Sequence, residues 1–312
     1  MLISVLSLLI GFTLLVWSAD AFTDNGAKIA RIFNISPLII GLLIFGFGTS
    51  APEMLVSGLA AYDGHPELSI GNAFGSNIFN IGLVLAVAAI IHPVIVEKNV
   101  LKKEWLFLFL STLVVGFLLM DGFLSFIDGS VLLILLLIFL YYVFNESKKE
   151  DNLENEASED IDDEQSKGKT WLLLLVSLVI LVSSARLVVW GGTNLALAFG
   201  VSDLIIGLTV VALGTSLPEL AVAISSALKK QHQMIIGNII GSNLFNSLGV
   251  LAIPGLILPF QIPSEVMSRD YIYMLIFTVL ILIFSFRLRI NRLGGLILLT
   301  ILGSYLYQLV WI

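Results

Sequence analysis

Long uncharged runs dominate this chain: residues 131–144 are apolar throughout, and 171–182 are apolar apart from Ser177. Such runs recur along the whole length of 312 residues. In hydrocarbon every backbone N–H and C=O must find its partner inside the protein, which leaves α-helices or closed β-barrels. The runs do not alternate apolar with polar residues, which excludes a barrel. Charged residues make up only 12% of the chain and mean hydropathy is +1.01, whereas a soluble domain carries about 25% charge. A hydrocarbon core about 30 Å thick is crossed by about 20 helical residues. On that measure the chain holds ten spans, at 1–17, 36–62, 69–91, 104–120, 128–145, 170–188, 202–228, 235–259, 270–286 and 293–311. The expected fold is an all-α integral membrane protein of ten transmembrane helices embedded in a lipid bilayer.

No Lys or Arg precedes the first run, so 1–17 reads as a retained helix rather than a cleaved signal peptide, despite the small-x-small triplet Ala19-Asp20-Ala21. With the N-terminus outside, the inner loops collect Lys28, Arg31, Lys98, Lys102, Lys103, Lys148, Lys149, Lys167, Lys169, Lys229, Lys230, Arg287, Arg289 and Arg292. Only Arg186 and Arg269 fall outside. This asymmetry places both termini outside a cell membrane and the 146–169 connector in the cytoplasm.

Residues 33–85 align with 199–251 at a constant offset of 166, without a gap. Gly48-Thr49-Ser50-Ala51-Pro52-Glu53 matches Gly214-Thr215-Ser216-Leu217-Pro218-Glu219, and Gly75-Ser76-Asn77-Ile78-Phe79-Asn80 matches Gly241-Ser242-Asn243-Leu244-Phe245-Asn246. Shared membrane composition explains aligned Leu and Ile, but not aligned Thr, Ser, Pro, Glu and Asn. An odd number of spans separates the copies, so each enters the bilayer from the side opposite to its twin, the pattern of inverted-repeat transporters. The chain divides into two five-helix halves, 1–145 and 170–312. The 146–169 connector holds ten of the 23 acidic residues and no aromatic beyond its ends, which reads as a solvated, disordered link rather than a domain.

Outside the connector, most acidic residues sit in loops or at span ends. Only Glu53 and Glu219 fall deep inside apolar spans, where a charge costs roughly 3 kcal/mol or more. Pro52 and Pro218 each remove the N–H that would bond the carbonyl four residues back, at Gly48 and Gly214. Thr49 and Ser50 precede Glu53 by about one turn, as Thr215 and Ser216 precede Glu219. Ser76 with Asn80, and Ser242 with Asn246, share a helix face at i, i+4. Gly71 and Gly75, like Gly237 and Gly241, are spaced for close helix approach. These donors are all oxygens, which suits Ca²⁺ with its six to eight oxygen ligands. There is no cysteine, and His65, His92 and His232 lie in loops or at span ends, so zinc and copper are disfavoured. No nucleic-acid partner, cofactor or obligatory protein partner is implied. No catalytic pair for an intramembrane protease is present either, so an enzyme is not expected. A passive channel would share the carboxylates but would need no counter-ion.

The paired Gly-Thr-Ser-x-Pro-Glu and Gly-Ser-Asn-x-Phe-Asn motifs resemble the α-repeats of the cation/calcium exchanger superfamily, especially its prokaryotic sodium/calcium exchanger branch. The resemblance implies a central calcium site between flanking sodium sites and exchange of three Na⁺ for one Ca²⁺. It implies that Glu53 and Glu219 hold calcium with the carbonyls of Thr49 and Thr215. Ser50, Ser76, Ser216 and Ser242 would complete the sodium sites, with Asn80 and Asn246 closing the central one. Some members, potassium-dependent ones among them, carry Asp where this chain has Asn246. The proton-coupled branch has His after its acidic residue, and this chain does not. Proton/calcium exchange on the same fold is the alternative.

Overall fold

The computed structural model describes residues 1–154, 164–199 and 212–311. The helices are α1 (Leu2–Ile32), α2 (Pro37–Tyr62), α3 (Pro66–Ile91), α4 (Glu104–Leu118), α5 (Phe126–Glu154), α6 (Glu164–Ala198), α7 (Leu217–Leu228), α8 (His232–Ile257), α9 (Val266–Arg287) and α10 (Arg292–Trp311). Eight of them are long and apolar enough to cross a membrane, so the chain is a multi-pass membrane protein. The two expected spans not among the eight are 104–120, where α4 has 15 residues, and 202–228, part of which lies outside the described residues.

Four helix boundaries differ from the hydropathy reading. Helix α1 does not stop at 17 but continues to Ile32, carrying Asp20, Asp24, Lys28 and Arg31 on its last turns. Helix α6 likewise runs on from 188 to Ala198, so Arg186 stands three turns before its end rather than in its last turn. The reason in α1 is that its carboxylates are neutralised across the helix interface by Lys229, described below. Helices α5 and α6 also reach into the acidic connector, as far as Glu154 and from Glu164. Glu, Lys, Gln and Leu there are all good helix formers, and only 155–163 of the connector lie outside the described residues.

Four two-residue strands reveal how the halves are related. β1 (Val94–Ile95) pairs antiparallel with β4 (Arg289–Ile290), and β2 (Phe123–Leu124) with β3 (Phe260–Gln261). An offset of 166 carries Val94 to Phe260 and Phe123 to Arg289, so the two ribbons are twins. β1 precedes α4 and β2 follows it, whereas β3 precedes α9 and β4 follows it. The start of α4 therefore lies beside the end of α9, and the end of α4 beside the start of α9. Those two helices are twins and they run antiparallel, which makes the repeats inverted. The same offset relates Gly129, whose added Cβ would lie 2.9 Å from the Ala252 carbonyl oxygen, to Gly295, whose Cβ would lie 2.6 Å from that of Ala86. Residues 86 and 252 are also twins, so the repeat extends well beyond the motifs.

Burial sorts the helices into a centre and a perimeter. The apolar stretch of α8 is 89% buried and that of α3 72%, against 33% in α1, α6 and α9. Exposed Phe12, Leu137 and Val179 on α1, α5 and α6 form part of the outer apolar surface, which in a bilayer meets lipid at no hydrophobic cost. At the centre, α2 crosses α8 with almost no side chain between them. A Cβ on Gly46 would lie 2.9 Å from the Gly241 Cα, and one on Gly237 2.9 Å from the Gly41 Cα. The expectation for Gly237 and Gly241 holds. At Gly71 and Gly75 an added Cβ meets nothing within 4 Å, and the segment that faces them by the repeat symmetry, 207–212, lies almost wholly outside the described residues.

Candidate cation site

The α2–α8 crossing brings the two motifs face to face. Thr49 donates its hydroxyl proton to the Phe45 carbonyl at 2.8 Å, and its oxygen lies 3.3 Å from the Ser242 hydroxyl. Ser242 also lies 3.5 Å from the Gly46 carbonyl of the other repeat and from the Asn238 side-chain oxygen of its own helix. The Asn80 amide donates to the Asn243 side-chain oxygen at 3.0 Å, and the Asn243 amide to the Asn77 carbonyl at 3.4 Å. Asn77 donates to Ser247 at 2.7 Å. Motif residues from opposite halves thus interlock through neutral amides and hydroxyls.

Both glutamates are 2% exposed and lie close enough to interact electrostatically. Neither carboxylate is in an ion pair among the described residues. Both oxygens of Glu53 and one of Glu219 are buried without a hydrogen-bond partner, as are the hydroxyls of Ser50 and Ser216 and the side-chain oxygens of Asn80 and Asn246. Each such orphan costs about 1–3 kcal/mol, and more where the group is charged. The orphaned oxygens on the two glutamates, Ser50, Ser216, Asn80 and Asn246 are hard donors of the kind that could hold a cation. Among the described residues no group of three or more His, Cys, Asp or Glu converges, so the site carries two acidic groups and otherwise neutral oxygens.

The backbone contributes differently in the two copies. The helix is continuous through Pro52, from Gly46 to Tyr62. In the second copy a short turn, Ala212–Thr215, ends at Ser216 (φ −91°, ψ 6°), and α7 begins at Leu217. Just after each motif asparagine the helix widens into a π-type turn, Asn80–Leu85 and Asn246–Val250, a local distortion that recurs at functional sites.

The ten residues read from the motifs separate by contact. Thr49, Ser242 and Asn80 make contacts between the halves, and Ser76 contacts Asn72 of its own helix at 3.5 Å. Glu53, Ser50, Glu219, Ser216 and Asn246 carry the orphaned atoms. Thr215 lines a cavity of about 350 Å³ beside Glu53, Pro52, Gly214 and Pro218. The sequence reading missed Asn72, which donates to the Glu53 carbonyl at 3.3 Å and to Ser57 at 3.2 Å. It also missed Asn77, Asn238 and Asn243, although all four recur at the offset of 166. It missed Arg186, which shares the cavity with Glu53. The rings of His92 and His232 lie 5.2 Å apart, tilted by 39°, and neither lines the cavity that reaches Glu53.

Comparison with known proteins agrees with this geometry. The model of the family described as "Sodium/calcium exchanger protein" matches residues 3–145 and 169–311. The CaxA protein of Alkalimonas amylolytica is 40% identical over 316 residues, covering 99% of each chain. The sodium/calcium exchanger MaX1 of Methanosarcina acetivorans is 30% identical over 347 residues, again 99% of each. A solved structure of the sodium-calcium exchanger NCX_Mj, soaked with zero Na⁺ and Ca²⁺, superimposes with a TM-score of 0.87 at 36% identity over 99% of both chains. The chain belongs to the sodium/calcium exchanger protein family, in the prokaryotic branch of the cation/calcium exchangers.

Proposed function

We propose that this chain is a secondary active antiporter that exchanges Na⁺ for Ca²⁺, three for one, by alternating access to a single site built from both repeats. One observation carries the reading: two buried carboxylates at twin positions, Glu53 and Glu219, keep orphaned oxygens amid orphaned hydroxyl and amide oxygens. Two ionised carboxylates balance one Ca²⁺, and carbonyls and hydroxyls fill out its shell. Glu53 and Glu219 hold calcium with the backbone carbonyls of Thr49 and Thr215. Ser50, Ser76, Ser216 and Ser242 serve sodium, and Asn80 and Asn246 close the centre. The named exchange activity of MaX1 and NCX_Mj supports this pair of ions.

The bilayer arrangement belongs to the same proposal. Ten crossings form two inverted halves, 1–145 and 170–312, with both termini outside and the 146–169 connector in the cytoplasm. The distribution of Lys and Arg supports it, as does the antiparallel course of α4 and α9. Calcium-45 uptake into proteoliposomes tests the whole reading. A sodium gradient is expected to drive uptake without potassium. Because one net charge crosses per cycle, worth about 2.3 kcal/mol per 100 mV, an imposed potential is expected to change the rate. Uptake driven by a proton gradient in place of sodium would install proton/calcium exchange instead. Flux that neither saturates nor needs a counter-ion would make the protein a channel, and voltage-insensitive flux would remove the three-to-one ratio.

A further inference from the structure

The offset that relates Glu53 to Glu219 also relates residues far from the cation site. Lys229 caps the C-terminus of α7 and reaches across to α1. Its ammonium lies 2.6 Å from the Asp20 carboxylate and 2.8 Å from that of Asp24. It also donates to the Asp20 carbonyl at 2.9 Å and to the Thr23 hydroxyl at 3.0 Å, and Thr23 bonds Ser225 at 2.8 Å. These contacts fasten α1 onto α7 at the end of α7 that adjoins the α7–α8 turn.

The twins of Lys229 and Asp20 are Asp63 and Arg186. The same pair recurs with its charges exchanged, so it remains complementary although both members differ. The backbones correspond as well. Asp63 caps α2 with φ −78° and ψ 0°, and Lys229 caps α7 with φ −87° and ψ −1°. Each is followed by a left-handed residue, Gly64 (φ 87°) and Lys230 (φ 58°). Ala19 and Ala185, the neighbours of Asp20 and Arg186, are both buried. Asp63 places a carboxylate at a helix C-terminus, where the exposed carbonyls disfavour it unless a cation arrives.

The two pairs are in opposite states. Among the described residues neither Asp63 nor Arg186 is in an ion pair, and both are exposed. Arg186 lines the cavity that reaches Glu53. The corresponding groove between α1 and α7, which holds Asp20, is lined by Leu217, Leu220 and Ala221 without Glu219. A cavity on the side of Arg186 thus reaches Glu53, whereas the groove on the side of Lys229 does not reach Glu219.

We propose that Arg186 and Asp63 are positioning residues for exchange: they form a second ionic latch, made when the cavity over Glu53 closes and the Lys229 latch on α1 releases. This rests on the antiport reading, since an exchanger must open to each side in turn. Charge-swapped latches of similar strength keep the two access states near balance, so that neither traps the protein.

The absence of cysteine gives a clean test in the full-length protein in proteoliposomes. The Asp63→Cys/Arg186→Cys variant and its counterpart Asp20→Cys/Lys229→Cys are treated with a short bifunctional thiol reagent in Na⁺, in Ca²⁺ or in neither. Both pairs are expected to cross-link, with opposite dependence on ion conditions. Failure of the first pair under every condition in which the second cross-links would overturn the proposal, as would parallel dependence. As a second measurement, Arg186→Asp is expected to slow exchange about two- to fivefold, the range of a partly exposed ion pair. Adding Asp63→Arg is expected to restore the rate, and no restoration would count against the latch. Cross-linking reads motion whichever ion is carried, so flux that ignores sodium would remove the antiport reading while leaving the latch standing on the cross-links.

Discussion

The two copies of Gly-Thr-Ser-x-Pro-Glu have nearly the same residues and different backbones. In α2 the proline sits inside a continuous helix, where it removes a donor and leaves the Gly48 carbonyl without its usual partner. In the second copy the helix breaks at Ser216, and Pro218 falls in the first turn of α7, where the missing N–H costs nothing. The surroundings account for the difference. Helix α2 is pinned on α8 through Gly41 and Gly46, leaving little room to bend, whereas Gly214, Thr215 and Pro218 border the cavity. A motif thus supplies polar backbone by two routes, and packing selects which. The more open copy is the one beside the approach to Glu53.

The largest effect is expected where the copies are most alike. Glu53→Gln and Glu219→Gln each remove one of the two buried carboxylates proposed to hold calcium. Losing one partner of such an arrangement costs about 2–5 kcal/mol, so calcium flux should fall roughly a hundredfold or more in both. Calcium uptake by purified, monodisperse variants checks this. Loss in one variant alone would show that the two carboxylates are not equivalent.

Twin glycines should respond unequally. Gly241→Ala forces a methyl group against the backbone of Leu42, 2.9 Å from its Cα, and overpacking of this kind costs about 1–3 kcal/mol. Gly75→Ala meets nothing within 4 Å among the described residues and should leave thermal unfolding in detergent unchanged. Equal losses at both positions would place an unseen close contact at Gly75.

Twin prolines sharpen the comparison further. Pro52→Ala restores a donor to the Gly48 carbonyl and should weaken apparent calcium affinity on the order of tenfold, about 1.4 kcal/mol, while raising thermal stability. Pro218→Ala should change affinity little, because the chain is already broken one residue before α7. Isothermal calcium titration of the two variants, side by side, decides whether the carbonyl freed in α2 is a ligand.

The smallest effect is expected in the connector. Replacing 146–169 by a Gly/Ser linker of equal length should leave exchange in vesicles within about twofold, since its acidic charges lie outside both repeats in the sequence and act on the site only through screened fields. Collapse of turnover in folded protein would give the acidic run a part in transport.

The membrane class, the spacing of the helices, the repeat and the two intramembrane glutamates were all legible in the residues. Hydropathy period, register and buried charge are local properties, and the motif at an offset of 166 needs no coordinates. The sequence pattern also led to Ser50, Ser76, Asn80 and their twins, because oxygen donors at helical spacing point the same way in any helix. Asn72 and Asn77 were present in the same repeat, and weighing the aligned asparagines equally would have found them.

Tertiary structure decided the rest. Hydropathy ended the first span at 17 because Asp20 and Asp24 read as loop, and only the position of Lys229 on another helix shows why the helix goes on. Arg186 read as a charge at the outer end of its span, and only the packing of α6 beside Pro52 and Glu53 places it at the cavity. The asymmetry between the copies, continuous at Pro52 and broken at Ser216, appears in neither motif. A sequence determines which groups must be buried or satisfied, since burial and hydrogen bonding act residue by residue. Which partner satisfies them, and which side of a symmetric pair stands open, depends on contacts between segments more than a hundred residues apart.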